Sequence, residues 1–167
     1  SVVVADIDEA GSEETVREIK NSGGVSYAIT TDVSSEISVQ NSISEAASLI
    51  DGIDIVVNDA ATFIFGEIED ISDADWEKVF KVNVIGASNV VKHALPYLKT
   101  SPSPSIVNMA SIGGFVAGRA FVPYNASKGA LLQLTRCLAM DLSEFNIRVN
   151  SVCPGSIYTA ATEKHIA

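Results

Sequence analysis

Cysteine, histidine, tryptophan and basic charge are all scarce in this 167-residue chain, which holds 2 Cys, 2 His, 1 Trp and 11 Lys+Arg against 21 Asp+Glu. Each shortage excludes something. Cys137 and Cys153 form neither a CxxC nor a zinc-ligand spacing, and Cys137 lies in an apolar helical stretch where a buried free thiol is commonplace, so neither is assigned chemistry. His93 and His165 have no ligand set nearby, and no metal site is expected. A formal charge of −10 repels nucleic acid and anionic membrane alike, which leaves small molecules as the expected partners. No apolar run approaches the roughly 20 residues that span a bilayer, and no basic segment followed by an apolar one opens the chain, so a cytoplasmic location is expected. With 47% hydrophobic and 19% charged residues, the composition is that of one cored globular domain over residues 1–167.

What is present is an alternation. "VVVADID" is a β-branched run closed by acids, and "EETVREIKNSGG" follows at helical spacing up to a glycine stop. "VSYAITTDVSS" reads as a second strand entering a polar turn, and Ile43, Ala46, Ala47 and Ile50 then share one helical face. "IDIVVNDAA" is a third strand, too continuously apolar for a sheet with one wet face. Ser72 and Asp75 fit a capping box ahead of a long helix carrying Trp76, Val79, Phe80, Val84, Val90 and Leu95, which Pro96 is expected to bend or end. "SIVNMAS" is a fourth strand, 124–144 a helix, and "NIRVNSVCPG" a fifth strand. Alternating strands and helices predict an α/β fold: a Rossmann-type, doubly wound parallel sheet with helices on both faces. Ligands of such sheets sit beyond the carboxyl ends of the strands.

Those ends are chemically marked. Asp6 closes the first strand, Asp32 the second and Asn58 the third, Ser111 follows the fourth, and Pro154 and Gly155 follow the fifth. Tyr124 and Lys128 stand one helical turn apart at the start of a helix. Taken alone, that pair arises by chance in about one such chain in six. Asp8 is the better cap for the helix starting near Glu9, which leaves Asp6 for a ligand.

Together these residues resemble the short-chain dehydrogenases/reductases, specifically the single-domain branch. "NDAA" at 58–61 looks like the family's NNAG motif, "VNV" at 82–84 carries its asparagine, "IVNMAS" ends in its serine, "YNASK" matches YxxxK and "CPGSIYT" matches its PG-x-I-x-T turn. The resemblance implies Asn83, Ser111, Tyr124 and Lys128 as catalytic residues, with Asn83 steadying a water that relays protons through Lys128. It further implies cofactor contacts at Asp6, Asp32, Val33, Asn58, Ala60, Tyr124, Lys128, Pro154, Gly155, Ile157 and Thr159. Asp6, which could accept hydrogen bonds from an adenosine ribose and would repel a 2′-phosphate, favours NAD over NADP.

The chemistry has its own logic. Hydride transfer to a carbonyl leaves an alkoxide, so the site must supply or remove a proton at that oxygen. A phenol is a poor base near neutrality unless a cation beside it favours the phenolate, and Lys128 fits that need. The expected activity is an NAD(H)-dependent interconversion of a secondary alcohol and a carbonyl. The alternatives are a catalytically silent binding or scaffold protein of the same fold, and a sugar-nucleotide epimerase or dehydratase.

Several features depart from the family pattern. The turn TGxxxGxG is absent, Gly23-Gly24 and Gly113-Gly114 are no substitutes for it, and Ser1 falls in what would be the second strand. In a sheet of order 3-2-1-4-5-6-7 the first strand, which joins the second to the fourth, would then be missing, as would the last. A piece of a longer chain is therefore expected. Asp59 and Ala61 stand where the motif favours Asn and Gly, away from the proton-transfer residues. Few aromatics lie between Gly113 and Val122, which suggests an open, modestly apolar pocket. Helices 73–95 and 124–144 resemble those through which the family forms dimers and tetramers, so a homodimer or homotetramer is expected.

Overall fold

A computed structural model of the chain describes residues 1–157. Five strands, β1 (Val2–Asp6), β2 (Ser26–Thr30), β3 (Ile55–Asn58), β4 (Ser105–Met109) and β5 (Arg148–Val152), alternate with five α-helices. The helices are α1 (Glu9–Asn21), α2 (Glu36–Ile50), α3 (Asp73–Phe80), α4 (Ala87–Leu98) and α5 (Val122–Asp141). Every strand pair is parallel: β1 with β2, and β3, β4 and β5 in that order, with Ile106 of β4 opposite Val56 and Val149. Parallel neighbours need crossovers, and the helices supply them. α1 and α2 pack on β1–β2, α4 on β3–β4 and α5 on β4–β5, while α2 rests on α4 and so joins the two halves. The core beneath α4 is apolar, with Val91, Ala94 and Leu98 against Val56, Ile106 and Val149.

One edge of β1 and one edge of β3 have no strand partner among the described residues, and a cavity of about 650 Å³ lies between them. Val2, Ile55 and Val57, apolar side chains that a continuous sheet would cover, are exposed. This gap is where the expected sheet order puts its first strand. No helix among the described residues is long and apolar enough to cross a membrane.

The caps follow the sequence closely. Asp8 caps α1 by accepting from the Gly11 amide, Ser35 caps α2, and Ser72 with Asp75 forms a reciprocal capping box on α3. The long helix differs from expectation. It widens into a π-helical segment at Lys81–Gly86 that separates α3 from α4, and it ends at Leu98, two residues beyond Pro96. Ala94 and Leu98, on either side of Pro96, are fully buried, and their packing outweighs the single hydrogen bond the proline cannot make. Cys137 is exposed rather than buried, because it falls on the outer face of α5.

Candidate active site and family

Ser111, Tyr124 and Lys128 reach one small cavity of about 150 Å³ at the carboxyl end of β4, with Asp59, Phe63, Pro154 and Gly155 completing much of its wall. Three elements meet there. β4 ends at Met109, and Ser111 begins the following turn, its Oγ accepting from the Gly113 amide at 3.0 Å. α5 starts with Pro123 in its first turn, which presets the backbone and puts Tyr124 and Lys128 on one face. The main chain after β5 returns alongside Ser111, where the Ile112 amide donates to the Pro154 carbonyl at 3.0 Å.

Gly114 explains the glycine pair. A Cβ there would lie 2.6 Å from Leu132 Cδ1 and 3.0 Å from the Lys128 carbonyl oxygen, so only glycine lets the turn after Ser111 press on α5 beside Lys128. Lys128 is almost wholly buried, and its ammonium donates to the Met109 carbonyl oxygen at 2.6 Å while lying 5.7 Å from the Tyr124 ring centroid. Burial holds the Lys128 ammonium below its ordinary pKa, and the Asp59 carboxylate partly opposes this. Asp59 and Lys128 line the same cavity because the end of β3 opens onto it. Burial pushes the Tyr124 phenol above its ordinary range, against a smaller opposing effect from a Ser111 hydrogen bond.

Asn83 sits in the π-helical segment, 2% exposed, with its amide committed to protein partners. Its Oδ1 accepts from the Thr62 amide at 2.8 Å, and its Nδ2 donates to the Thr62 carbonyl at 3.1 Å and to Ser127 Oγ at 3.0 Å. The side chain thus clamps the loop after β3 to α5. A π-widening at such a position is a common companion of functional sites.

The remaining candidates divide. Asp6 ends β1 and lines the larger cavity, one carboxylate oxygen accepting from the Asp8 amide at 2.9 Å and the rest of its acceptor capacity open among the described residues. Val33 and Ala60 line the same cavity, which shares Asp59 and Ala61 with the smaller one, so the two adjoin. Asp32 turns its carboxylate back on its own loop, accepting from the Ser34 amide at 2.9 Å. Asn58 lines the larger cavity but spends its Nδ2 on Asn108 Oδ1 at 2.8 Å, and Asn108 in turn donates to Thr135 Oγ1 at 2.9 Å. That chain of amides ties β3, β4 and α5 together. Ile157 is exposed, and Thr159 lies outside the described residues.

The family model described as Enoyl-(Acyl carrier protein) reductase matches residues 1–166. The chain belongs to the short-chain dehydrogenase/reductase family. It is 32% identical over 164 residues to a cyclopentanol dehydrogenase of Comamonas sp. strain NCIMB 9872, covering 98% of this chain and 66% of that protein. A solved structure from Sinorhizobium meliloti 1021 superposes on 96% of this chain and 64% of its own, with TM-score 0.92 and 32% identity. A gluconate 5-dehydrogenase from Burkholderia cenocepacia J2315, solved with NADP and tartrate, superposes with TM-score 0.91 and 25% identity, over 98% of this chain and 64% of that one. This short-chain dehydrogenase/reductase chain thus spans about two thirds of the length of these relatives.

The dehydrogenases of this family use a nicotinamide dinucleotide. The donor set at the strand ends suits one: a carboxylate at Asp6, apolar walls at Val33 and Ala60, and hydroxyl and ammonium donors at Tyr124 and Lys128. Among the described residues no group of three His, Cys, Asp or Glu could hold a metal ion. Sequence reasoning missed the aromatic side of the site. Phe63 stacks on the Tyr124 ring at 4.8 Å between centroids, and Phe121 meets Phe65 edge-on at 4.7 Å. The aromatics come mainly from the loop after β3 rather than from 113–122, and only their closeness to the "NDAA" stretch hinted at this.

Proposed function

We propose that the whole protein is an NAD(H)-dependent oxidoreductase that interconverts a secondary alcohol and a carbonyl compound, with Tyr124 as general acid/base. The supporting observation is the convergence of Ser111, Tyr124 and Lys128 on one cavity that adjoins the Asp6 side of the fold. Asp6, Val33, Ala60, Tyr124 and Lys128 would hold the nicotinamide dinucleotide, which when bound would supply the hydride acceptor or donor for the substrate carbon. The chain's own residues handle the proton. In oxidation the Tyr124 oxygen accepts the proton of the substrate hydroxyl, and in reduction it returns one to the developing alkoxide. Ser111 Oγ hydrogen-bonds the reacting oxygen and holds it near Tyr124. Lys128, an ammonium 5.7 Å from the Tyr124 ring centroid, favours the phenolate electrostatically.

Asp6 selects the cofactor. Its open acceptor capacity suits the two ribose hydroxyls of NAD, and its charge disfavours the 2′-phosphate of NADP. In the same reading residues 1–167 belong to one nucleotide-binding domain of a cytoplasmic homodimer or homotetramer. The test is to measure both catalytic efficiency and NAD affinity of the complete protein and of Tyr124→Phe. Turnover should fall at least ~100-fold with NAD affinity nearly unchanged, and the unmodified enzyme should prefer NAD to NADP. Full turnover by Tyr124→Phe would remove the acid/base role, and equal efficiency with NADP would remove the role of Asp6.

A further inference from the structure

Tyr124 lies in the first turn of α5, where helices fray most readily, and Phe121 at the N-cap position makes no side-chain cap hydrogen bond. The phenol keeps its place only if that turn is held by other means. Ser127, fully buried three residues on, donates its hydroxyl to the Tyr124 carbonyl at 2.7 Å. A serine hydroxyl has one hydrogen, so the same oxygen meets Asn83 as an acceptor, taking its Nδ2 at 3.0 Å.

These bonds close into a circuit. The Asn83 amide is bound to both main-chain groups of Thr62, the next residue, Phe63, stacks on the Tyr124 ring at 4.8 Å, and the Tyr124 carbonyl leads back to Ser127. Tyr124 is thereby gripped at both ends, its ring by Phe63 and its main chain by Ser127. Turning the Asn83 amide over would set its Oδ1 against the Thr62 carbonyl and its Nδ2 against the Thr62 amide, so the circuit has one favourable polarity. Asn83 is 2% exposed and Ser127 0%, so water does not compete for the bond between them.

Resting on the acid/base reading of Tyr124 above, we infer that Ser127 is a positioning residue for the reaction, its hydroxyl carrying the Asn83 clamp onto the Tyr124 main chain and so fixing where the phenol sits. Proton transfer needs the phenol within hydrogen-bond reach of the substrate oxygen, and a displacement of about 1 Å costs on the order of 100-fold in rate. Ser127 lines neither cavity, so it acts through Tyr124 and not by contact with a ligand. Asp6, Val33 and Ala60 lie outside the circuit, so the effect falls on the chemical step more than on NAD affinity.

The experiment uses the complete protein with NAD and whichever of cyclohexanol, 1-phenylethanol, 2-propanol and sorbitol is turned over fastest, and compares Ser127→Ala with Ser26→Ala. Ser26 is an equally buried serine that donates to the Val16 carbonyl at 3.0 Å and lines neither cavity, so its loss reports the cost of a buried hydroxyl alone. Ser127→Ala should lower the single-turnover rate of NADH formation about tenfold or more and change the NAD dissociation constant less than about twofold, while Ser26→Ala alters neither. Ser127→Cys keeps the volume but hydrogen-bonds weakly, so its rate should fall between those of serine and alanine, and it serves if the alanine protein does not fold. Hydrogen exchange gives a reading that needs no turnover: the amides of 125–128 should exchange about tenfold faster in Ser127→Ala, and less so in Ser127→Cys, than in Ser26→Ala. An undiminished rate in Ser127→Ala or Ser127→Cys, an equal loss in Ser26→Ala, a loss of NAD affinity as large as the loss of rate, or unchanged exchange overturns the positioning role and leaves the dehydrogenase reading intact. No turnover of any of the four alcohols by unmodified protein that binds NAD counts instead against the dehydrogenase reading, and the exchange rates then decide whether Ser127 holds Tyr124.

Discussion

Replacing Asn83 by alanine is the most informative structural perturbation, because one side-chain amide makes three hydrogen bonds between elements far apart in sequence. It joins Thr62, in the loop after β3, to Ser127 on α5, from a position that is 2% exposed. Each lost hydrogen bond removes about 1 kcal/mol net, and each polar group left unsatisfied where water cannot reach adds a further cost. A total near 3 to 4 kcal/mol follows, the range in which a buried polar network is broken by one change. For a protein of 150–250 residues, about 2–4 °C per kcal/mol turns this into a melting-temperature loss near 10 °C. Urea titration of the complete protein, alongside Ser127→Ala and the double variant, measures both the total and the Asn83–Ser127 coupling. Asn83→Asp should be at least as damaging. It keeps an acceptor for the Thr62 amide but puts a carboxylate oxygen against the Thr62 carbonyl and buries a charge. A loss under ~1 kcal/mol in Asn83→Ala would refute the clamp and return Asn83 to a role in helix shape alone.

Two further outcomes concern the groups around Asn83. Lys128→Met should abolish turnover yet raise the melting temperature by a few degrees at pH 7, since burying an ammonium costs more than one hydrogen bond to Met109 returns. The folded pKa of Lys128 is depressed, so its favourable contribution exists above the unfolded value and is lost as pH falls through the folded one; the advantage of methionine should therefore shrink as pH approaches that of free lysine, about 10.4. A melting temperature that falls at pH 7, or a gain independent of pH, would contradict this. Gly114→Ala should destabilise by about 1–3 kcal/mol and lower kcat, because its Cβ presses on the main chain of Lys128, whereas turnover equal to that of the unmodified protein would show that the contact can relax.

Much of this protein is legible in one dimension. β-branched runs closed by polar residues give strands, helical spacing and caps give helices, and their alternation gives a parallel sheet with crossovers, since each of these depends on neighbours a few residues away. Asp8, Ser35 and Ser72 cap helices where the sequence puts capping residues. Tyr124 and Lys128 share a face because four residues nearly complete a helical turn. The tertiary structure decided what depends on distant partners. Asn83 hydrogen-bonds Thr62 and Ser127, and Asn58 Nδ2 donates to Asn108, contacts 21 or more residues away in chain order that no local pattern encodes. Pro96 stays in its helix because Ala94 and Leu98 are buried in the core, and the charge of Asp59 reaches Lys128 only because β3 ends and α5 begins at the same cavity. Phe63 and Phe121, 58 positions apart in the numbering of the chain, become one wall of the site only when Gly66 pairs with Ala120.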